Sequence, residues 1–450
     1  MSIFQIPVLG EPVHHSPLKL STVYGDSICN FVSDDQKLRF NIFEDGFIGD
    51  EYELIEEWTS REAINSSFEV AGPREKIFFD PENTSCAIIT CGGLCPGLNN
   101  VIRAIVMEMF YHYGVKRILG IRYGYEGLNP AFGHEPLELT PKTVSNIHEL
   151  GGTVLGSSRG EQDSGIVVDE LEKRKIDILF CIGGDGTQRG AHDIYTEIKR
   201  RGKKIAVVGI PKTIDNDIYL VEKTFGFETA FSKAAESIRS AHVEACGAYN
   251  GIGLVKLMGR HSGYIASYAA LALSEVNFVL IPELPFDLKG ENGFLNLLKK
   301  RLESRHHAVI VVAEGAGQEY FQENNSTDPS GNKRLNDIGM FLKDEIGKFM
   351  REQNISHSIK YIDPSYIIRS VPAVPNDAIF SSQLARYAVH AGMAGKTSVL
   401  VGWRKNVFVH IPIEKIINKR KTVNTETQFW LSVLEATGQP MRMVNEPRQF

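Results

Sequence analysis

Short apolar runs recur along the chain: CAIITCGG (86–93), RILGIRYG (117–124), IDILFCIGG (176–184), KIAVVGIP (204–211), GIGLVKLMG (251–259), NFVLIPE (277–283), HAVIVVAEG (307–315) and TSVLVGW (397–403). Many end at Gly or Pro, and longer amphipathic stretches separate them. Continuous apolar runs of this length are the pattern of strands buried on both faces and joined by crossover helices. One such helix is legible in FETAFSKAAESIRSAHVEA, where Phe231, Ala234, Ile238, Ala241 and Ala245 fall three or four apart and form one apolar stripe. The pattern predicts an open, doubly wound α/β fold, with ligands where loops leave the C-terminal ends of strands. Residues 1–84 lack the repeating pattern and read as an appendage carrying the acidic, aromatic stretch FEDGFIGDEYELIEEW. The polar stretch EYFQENNSTDPSGNKRLND (319–337) reads as a surface loop.

The chain has 450 residues, room for two or three domains, and its 42% apolar and 23% charged residues are ordinary for a soluble globular protein. A net charge of −6 gives nucleic-acid binding no electrostatic support. No run approaches the ~18 apolar residues needed to span a bilayer, and neither end carries a targeting signal, so a cytoplasmic protein is expected. The six cysteines are Cys29, Cys86, Cys91, Cys95, Cys181 and Cys246. Cys91 and Cys95 are four apart, but neither a second pair nor a His partner follows at zinc-finger spacing, so buried free thiols are expected.

Four strand-end motifs could carry chemistry. CGGLCPGLNNVIR (91–103) offers the amides of Gly92, Gly93 and Gly97 to a phosphate, although any tight strand–helix turn favours glycine. GGDGT (183–187) allows close approach to a polyphosphate, and Asp185 is a hard oxygen ligand for Mg²⁺; a helix-capping Asp is the alternative. PKTIDND (211–217) sets Asp215 and Asp217 beside Lys212 and Thr213, where a carboxylate could take a proton from a hydroxyl nucleophile; an Asn- and Asp-rich turn is the alternative. Further on come MGR (258–260), Glu314, and Lys360, Tyr366 and Arg369 in KYIDPSYIIR, with Arg and Lys suited to a phosphate ester and Glu to sugar hydroxyls. Taken singly, each of these last residues reads equally as a rim charge.

The combination GGxxPGxN, GGDGT, PxTIDND, MGR and the late IIR, in this order, resembles the 6-phosphofructokinase family over roughly residues 85–420. NAD kinases and diacylglycerol kinases share GGDGT alone. The resemblance implies two Rossmann-like three-layer α/β/α domains: 85–226 with 369–415 for ATP and Mg²⁺, and 227–368 with 416–450 for fructose 6-phosphate, after an N-terminal extension at 1–84. It implies phosphoryl transfer to the 1-hydroxyl of fructose 6-phosphate, in which positioning and charge neutralisation do most of the work. Gly93, Tyr125, Arg159, Asp185, Gly186 and Thr187 would line the donor site, with Asp185 holding Mg²⁺ and Arg159 neutralising the phosphates in transit. Asp215 would be the base, with Lys212, Thr213 and Asp217 beside it. Met258, Gly259, Arg260, Glu314, Lys360, Tyr366 and Arg369 would bind the sugar phosphate. Some of these ligands cross between subunits in the family, which implies a homo-oligomer, with a tetramer favoured.

The motifs mix two patterns. Bacterial ATP enzymes resemble GGDGS with PGTIDND, and pyrophosphate enzymes resemble GGDDS with PKTIDND; this chain has GGDGT with PKTIDND. An Asp at 186 would set a carboxylate where a nucleotide's α-phosphate must pass, and two like charges ~4 Å apart in a partly dry site repel by several kcal/mol. Lys212 attracts a phosphate from either donor. An obstruction discriminates more sharply than an attraction, so ATP is the expected donor, as in the plant and trypanosomatid enzymes of the pyrophosphate-like branch. A pyrophosphate-dependent enzyme and a non-catalytic regulatory subunit on the same fold are the alternatives. Gly251 stands where bacterial enzymes carry a phosphate-binding Arg nine residues before the MGR arginine. Arg103 matches a bacterial effector-site arginine, but with so much else changed, bacterial allostery is not carried over.

Overall fold

The computed structural model describes residues 4–18, 22–23, 26–27, 31–39, 41–42, 48–49, 67–322, 326 and 334–445. The stretch FEDGFIGDEYELIEEW lies almost wholly outside the described residues, as does most of the 319–337 stretch. The chain forms two contact-dense units: Met1–Thr213, Ile218–Gly226 and Pro372–Arg420 in the first, and Ile214–Asp217, Phe227–Val371 and Lys421–Phe450 in the second. The domain boundaries expected from sequence fall at 226/227, 368/369 and 415/416, with residues 1–84 set apart.

The first unit is built on one mixed sheet. Its strands are β1 (Ser67–Val70), β2 (Ser85–Thr90), β3 (Arg117–Gly120), β4 (Ile178–Gly183), β5 (Ala206–Pro211), β10 (Val399–Arg404) and β11 (Val407–Pro412). Their spatial order is β3-β2-β4-β5-β10-β11-β1, with short edge strands at Leu137–Glu138 beyond β3 and Lys37–Arg39 beyond β1. Strands β3, β2, β4, β5 and β10 pair in parallel and β10, β11 and β1 antiparallel. Residues along β4 alternate between layers. Leu179 and Cys181 join a core with Val167 and Leu171 of helix α2 (Ser164–Lys173) and Ala191, Ile194 and Ile198 of α3 (Asp185–Arg200). Ile178 and Phe180 face the opposite layer, against Gly392 of α8 (Pro375–Met393). Helix α1 (Leu98–Met107) packs on α8. Helices on both faces explain why β4 reads as an unbroken apolar run.

The second unit repeats the plan on a four-stranded parallel sheet. Strands β6 (Gly251–Leu257), β7 (Phe278–Leu280), β8 (His307–Ala313) and β9 (Ser358–Ile362) take the order β7-β8-β6-β9. Leu254, Leu280 and Ile310 pack against Phe294, Leu298 and Leu302 of α6 (Phe294–Arg305) and Leu342 and Ile346 of α7 (Ile338–Glu352). Helix α4 (Phe227–Cys246) packs on β6, β8 and β9 and against α5 (Tyr264–Leu271), which in turn meets α9 (Gln428–Thr437). Both units are three-layer α/β/α arrangements, as the fold class expected.

Two details differ from the sequence reading. Of the α4 stripe, Ala234, Ile238, Ala241 and Ala245 are buried, whereas Phe231 is half-buried and stacks near the Tyr268 ring. Cys86, Cys91, Cys95 and Cys181 are buried free thiols, but Cys246 is exposed, because it lies at the C-terminal end of α4 off the apolar stripe. Cys29 lies outside the described residues.

Candidate active site

In the first unit three of the motifs leave adjacent strands at one edge. CGG follows β2, GGDGT follows β4 and PKT closes β5. The register pairs Thr90 with Ile182 and Gly183 with Pro211. The strand order reverses here, since β3 lies on one side of β2 and β4 and β5 on the other. Such a switch point opens a crevice at the C-terminal ends of the strands.

Helix α3 starts within GGDGT. Its first bond runs from Gln188 N to the Gly184 carbonyl at 3.0 Å. The amides of Asp185, Gly186 and Thr187 therefore precede the helical ladder and present a positive helix end to an anion. Two glycines of the motif, Gly183 and Gly186, differ in what the fold asks of them. A Cβ on Gly183 would lie 2.0 Å from the Thr187 hydroxyl, so packing demands glycine there. A Cβ on Gly186 would meet nothing within 4 Å, and the residue is exposed. The fold does not require glycine at 186; what glycine does there is leave space.

The loop is braced from beneath. Tyr125 is buried, and its hydroxyl donates to the Thr187 carbonyl at 2.7 Å. Burial holds that phenol well above its ordinary pKa, so it stays a donor. Lys212 is also buried, its ammonium donating to the Gly93 carbonyl at 2.6 Å and its amide to the Gly183 carbonyl at 3.0 Å. One lysine thus ties all three loops together. The amide of Gly92 is committed to the Ser158 carbonyl at 3.0 Å, so it is not one of the open amides expected from sequence. Ser157 donates to the Gly92 carbonyl at 2.6 Å, and these bonds fix the loop that carries Arg159, which is exposed. The Asp185 carboxylate is partly exposed, 3.2 Å from Arg189 and 3.9 Å from Arg420.

In the second unit the same construction repeats with charges. MGR follows β6 and Glu314 follows β8; Leu257 and Ala313 are register partners, and the Glu314 amide donates to the Leu257 carbonyl at 2.8 Å. Gly259 has φ 128, and a Cβ there would lie 2.5 Å from the Ser262 carbonyl, so only glycine turns the chain out of β6. Asn216 takes a left-handed φ of 53 between Asp215 and Asp217, a conformation Asn tolerates. The Arg260 amide bonds the Asp215 carboxylate, and Ser262 Oγ donates to the Asp215 carbonyl at 3.3 Å.

The electrostatics follow from burial. Asp215 Oδ1 is hidden from solvent. Burial above all, then the charges of Asp217 and Glu314, push the Asp215 carboxyl well above its usual range, partly offset by Arg260. Burial also raises Glu314, against the pull of Arg260, Lys256 and Arg369. Asp215, Arg260, Glu314 and Arg369 therefore form one interacting group, with Met258 half-buried in the MGR turn beside it. Thr213 is half-buried, and its carbonyl accepts from Thr224 at 2.7 Å within the first unit. Lys360 is exposed, 3.9 Å from Glu244 of α4. Tyr366 is 74% exposed, with the Arg369 guanidinium 4.9 Å from its ring centre.

Some structural partners escaped the sequence reading. Lys256 pairs with Asp363 at 2.8 Å and Asp337 at 3.3 Å, and Ser262 and Ser157 brace their loops. Lys256 did carry a signal, since a lysine inside the apolar run GIGLVKLMG needs a partner. At Gly251 the fold forbids an arginine: a Cβ would lie 2.0 Å from the Ala245 carbonyl of α4.

A family model described as Phosphofructokinase matches residues 85–392. An ATP-dependent 6-phosphofructokinase of Borreliella burgdorferi is 47% identical over 449 residues, covering 98% of this chain and 98% of its own. An ATP-dependent 6-phosphofructokinase of Trypanosoma cruzi is 46% identical over 372 residues, 82% of this chain and 76% of its own. Among solved structures, a pyrophosphate-dependent phosphofructokinase from Marinobacter aquaeolei superposes with a TM-score of 0.65 at 19% identity, over 79% of this chain and 91% of that one, which is a likeness of fold.

Proposed function

The chain belongs to the phosphofructokinase family, and we propose that it is an ATP-dependent 6-phosphofructokinase, moving the γ-phosphoryl of ATP to the 1-hydroxyl of fructose 6-phosphate to give fructose 1,6-bisphosphate and ADP. The observation that carries the choice of donor is the open space at Gly186, at the positive end of α3. A carboxylate there would repel the nucleotide; its absence leaves room for one. The names of the relatives agree with this reading.

The donor phosphates lie against the first amides of α3, with Gly93, Gly186 and Thr187 lining the loop and Arg159 neutralising the phosphoryl group in transit. Tyr125 acts by holding the Thr187 carbonyl rather than by touching the donor. Asp185 fits the role of a Mg²⁺ ligand: it is a partly exposed carboxylate at the loop, and Mg²⁺ typically takes one or two carboxylates together with substrate phosphates. When bound, the ion would neutralise charge on those phosphates.

The acceptor belongs to the second unit. Asp215 takes the proton of the 1-hydroxyl, and its raised pKa makes it a stronger base than an exposed carboxylate. Lys212, Thr213 and Asp217 flank it along the chain. Arg260 and Arg369 take the 6-phosphate, and Glu314, Met258 and Gly259 take the sugar. Lys360 and Tyr366 are exposed, as ligands shared with a neighbouring copy would be in one chain, which is in keeping with a homo-oligomer, the tetramer resting on the family resemblance. Among the described residues no helix is long and apolar enough to cross a membrane.

The test is fructose 1,6-bisphosphate formation by the purified chain with fructose 6-phosphate, Mg²⁺ and ATP. Turnover is expected. No product with ATP, with product from pyrophosphate instead, would make Lys212 the deciding residue and overturn the donor assignment.

A further inference from the structure

At the opposite end of the second sheet from Arg260 and Glu314, three metal-ligating side chains converge. His242 and Cys246 are four residues apart on α4, so they share one face of its last turns. His307 opens β8, beside Gly251 at the start of β6. One ligand atom from each lies within 4.8 Å of the others. Cys246 Sγ is 3.6 Å from His242 Nε2, and the two imidazole rings meet edge-on with centres 5.6 Å apart.

Two further features fit a metal rather than a chance cluster. His307 Nδ1 is 3.0 Å from the Arg305 carbonyl. A carbonyl only accepts, so Nδ1 carries the proton and Nε2 keeps its lone pair, which is the tautomer and outer hydrogen bond that metal-binding histidines use. Cys246 is exposed while both histidines are half-buried, so an ion can reach the thiol from solvent. Sequence spacing hid the site, because the third ligand comes from a strand 61 residues beyond Cys246 rather than from a nearby motif.

We propose that His242, Cys246 and His307 form a binding site for Zn²⁺ or a like tetrahedral divalent ion, linking the end of α4 to the start of β8 and leaving one coordination position to solvent. Two imidazole nitrogens and a thiolate are a borderline-soft set that suits Zn²⁺ and not Mg²⁺. Small rotations of the three side chains bring their donor atoms to bonding distance. The ion ties two elements of one unit together, so it stabilises the folded chain.

The test uses the full chain with a non-thiol reductant to keep Cys246 reduced. Zn²⁺ is titrated by equilibrium dialysis, and Co²⁺ is then substituted to look for a thiolate-to-cobalt charge-transfer band in the near ultraviolet. The expected result is one tight Zn²⁺ per chain, a Co²⁺ thiolate band, and a Zn²⁺-dependent rise in melting temperature. Cys246→Ser is at an exposed position, so folding is kept; it should lose the band and weaken Zn²⁺ binding by more than ~10-fold, since even an outer-shell partner is worth about 10–100-fold. His307→Ala should weaken binding similarly, and both variants should keep the Zn²⁺-free turnover of the parent. Unchanged Zn²⁺ affinity in Cys246→Ser, or no tight Zn²⁺ in the parent chain, would overturn the proposal.

Discussion

The strand-end loops of the first unit and those of the second solve related problems by different means. At Gly183–Thr187 the chain presents backbone amides and open space, braced from below by Tyr125 and Lys212. At Asp215, Arg260, Glu314 and Arg369 it presents opposed charges that burial makes strongly interdependent. The difference teaches how each end should respond to change. The first is specified by what is absent, so it is tested by adding a group. The second is specified by charges, so it is tested by removing one.

The largest effect should come from Asp215→Asn, which keeps the shape and removes the carboxylate proposed as the base. We expect kcat to fall by about 10²- to 10⁴-fold with little change in KM, read by initial rates. Near-normal turnover would remove Asp215 from the role of base. The same variant reports on stability. Asp215 binds its proton more tightly folded than unfolded, so between its ordinary pKa of 3.8 and the raised folded value the native chain holds the extra proton. Stability therefore falls as pH rises through that window, and the loss persists at neutral pH. Asp215→Asn should melt at a higher temperature than the parent at pH 7, and at no higher temperature below pH 3.8; a lower melting temperature at pH 7 would contradict the burial assigned to this carboxylate.

Arg260→Ala should come next, raising KM for fructose 6-phosphate by about 10- to 100-fold, the range of a charge-assisted hydrogen bond, while KM for ATP stays put. Equal shifts in both would break the division between the two loop sets. Smaller still, Tyr125→Phe removes the hydroxyl's bonds to the Thr187 carbonyl and the Cys181 thiol and leaves the buried ring in place. It should cost ~1 kcal/mol of stability and raise KM for ATP by about 2- to 10-fold, without touching KM for the sugar phosphate.

Much of the fold was legible because buried parallel strands leave unbroken apolar runs, and each such run became a strand. The strands that escaped have other causes. β11 follows β10 through a two-residue hairpin in which Lys405 and Asn406 both take positive φ, a turn usually marked by Asn-Gly. β1 is an antiparallel strand in residues read as an appendage, and β9 is half-exposed and polar, so neither carries a long apolar run. The motif glycines were legible as a class, but not their separate duties: Gly183 and Gly259 answer to packing, whereas Gly186 answers to nothing in the fold. The Lys256 ion pairs and the His242–Cys246–His307 cluster join residues far apart in sequence, which the packing of α4 and α7 on the second sheet brings together.

The most direct measurement compares the parent and Gly186→Asp with ATP and with pyrophosphate, under Mg²⁺ and fructose 6-phosphate, alongside their melting temperatures. A Cβ at 186 meets open space, so the variant should fold and melt like the parent. We expect the parent to turn over ATP alone and the variant to lose ATP turnover by at least about 100-fold, the ~3 kcal/mol that a like charge near a phosphate supplies in a partly dry site. A Gly186→Asp chain that still uses ATP as the parent does would contradict the claim that this open position selects the donor.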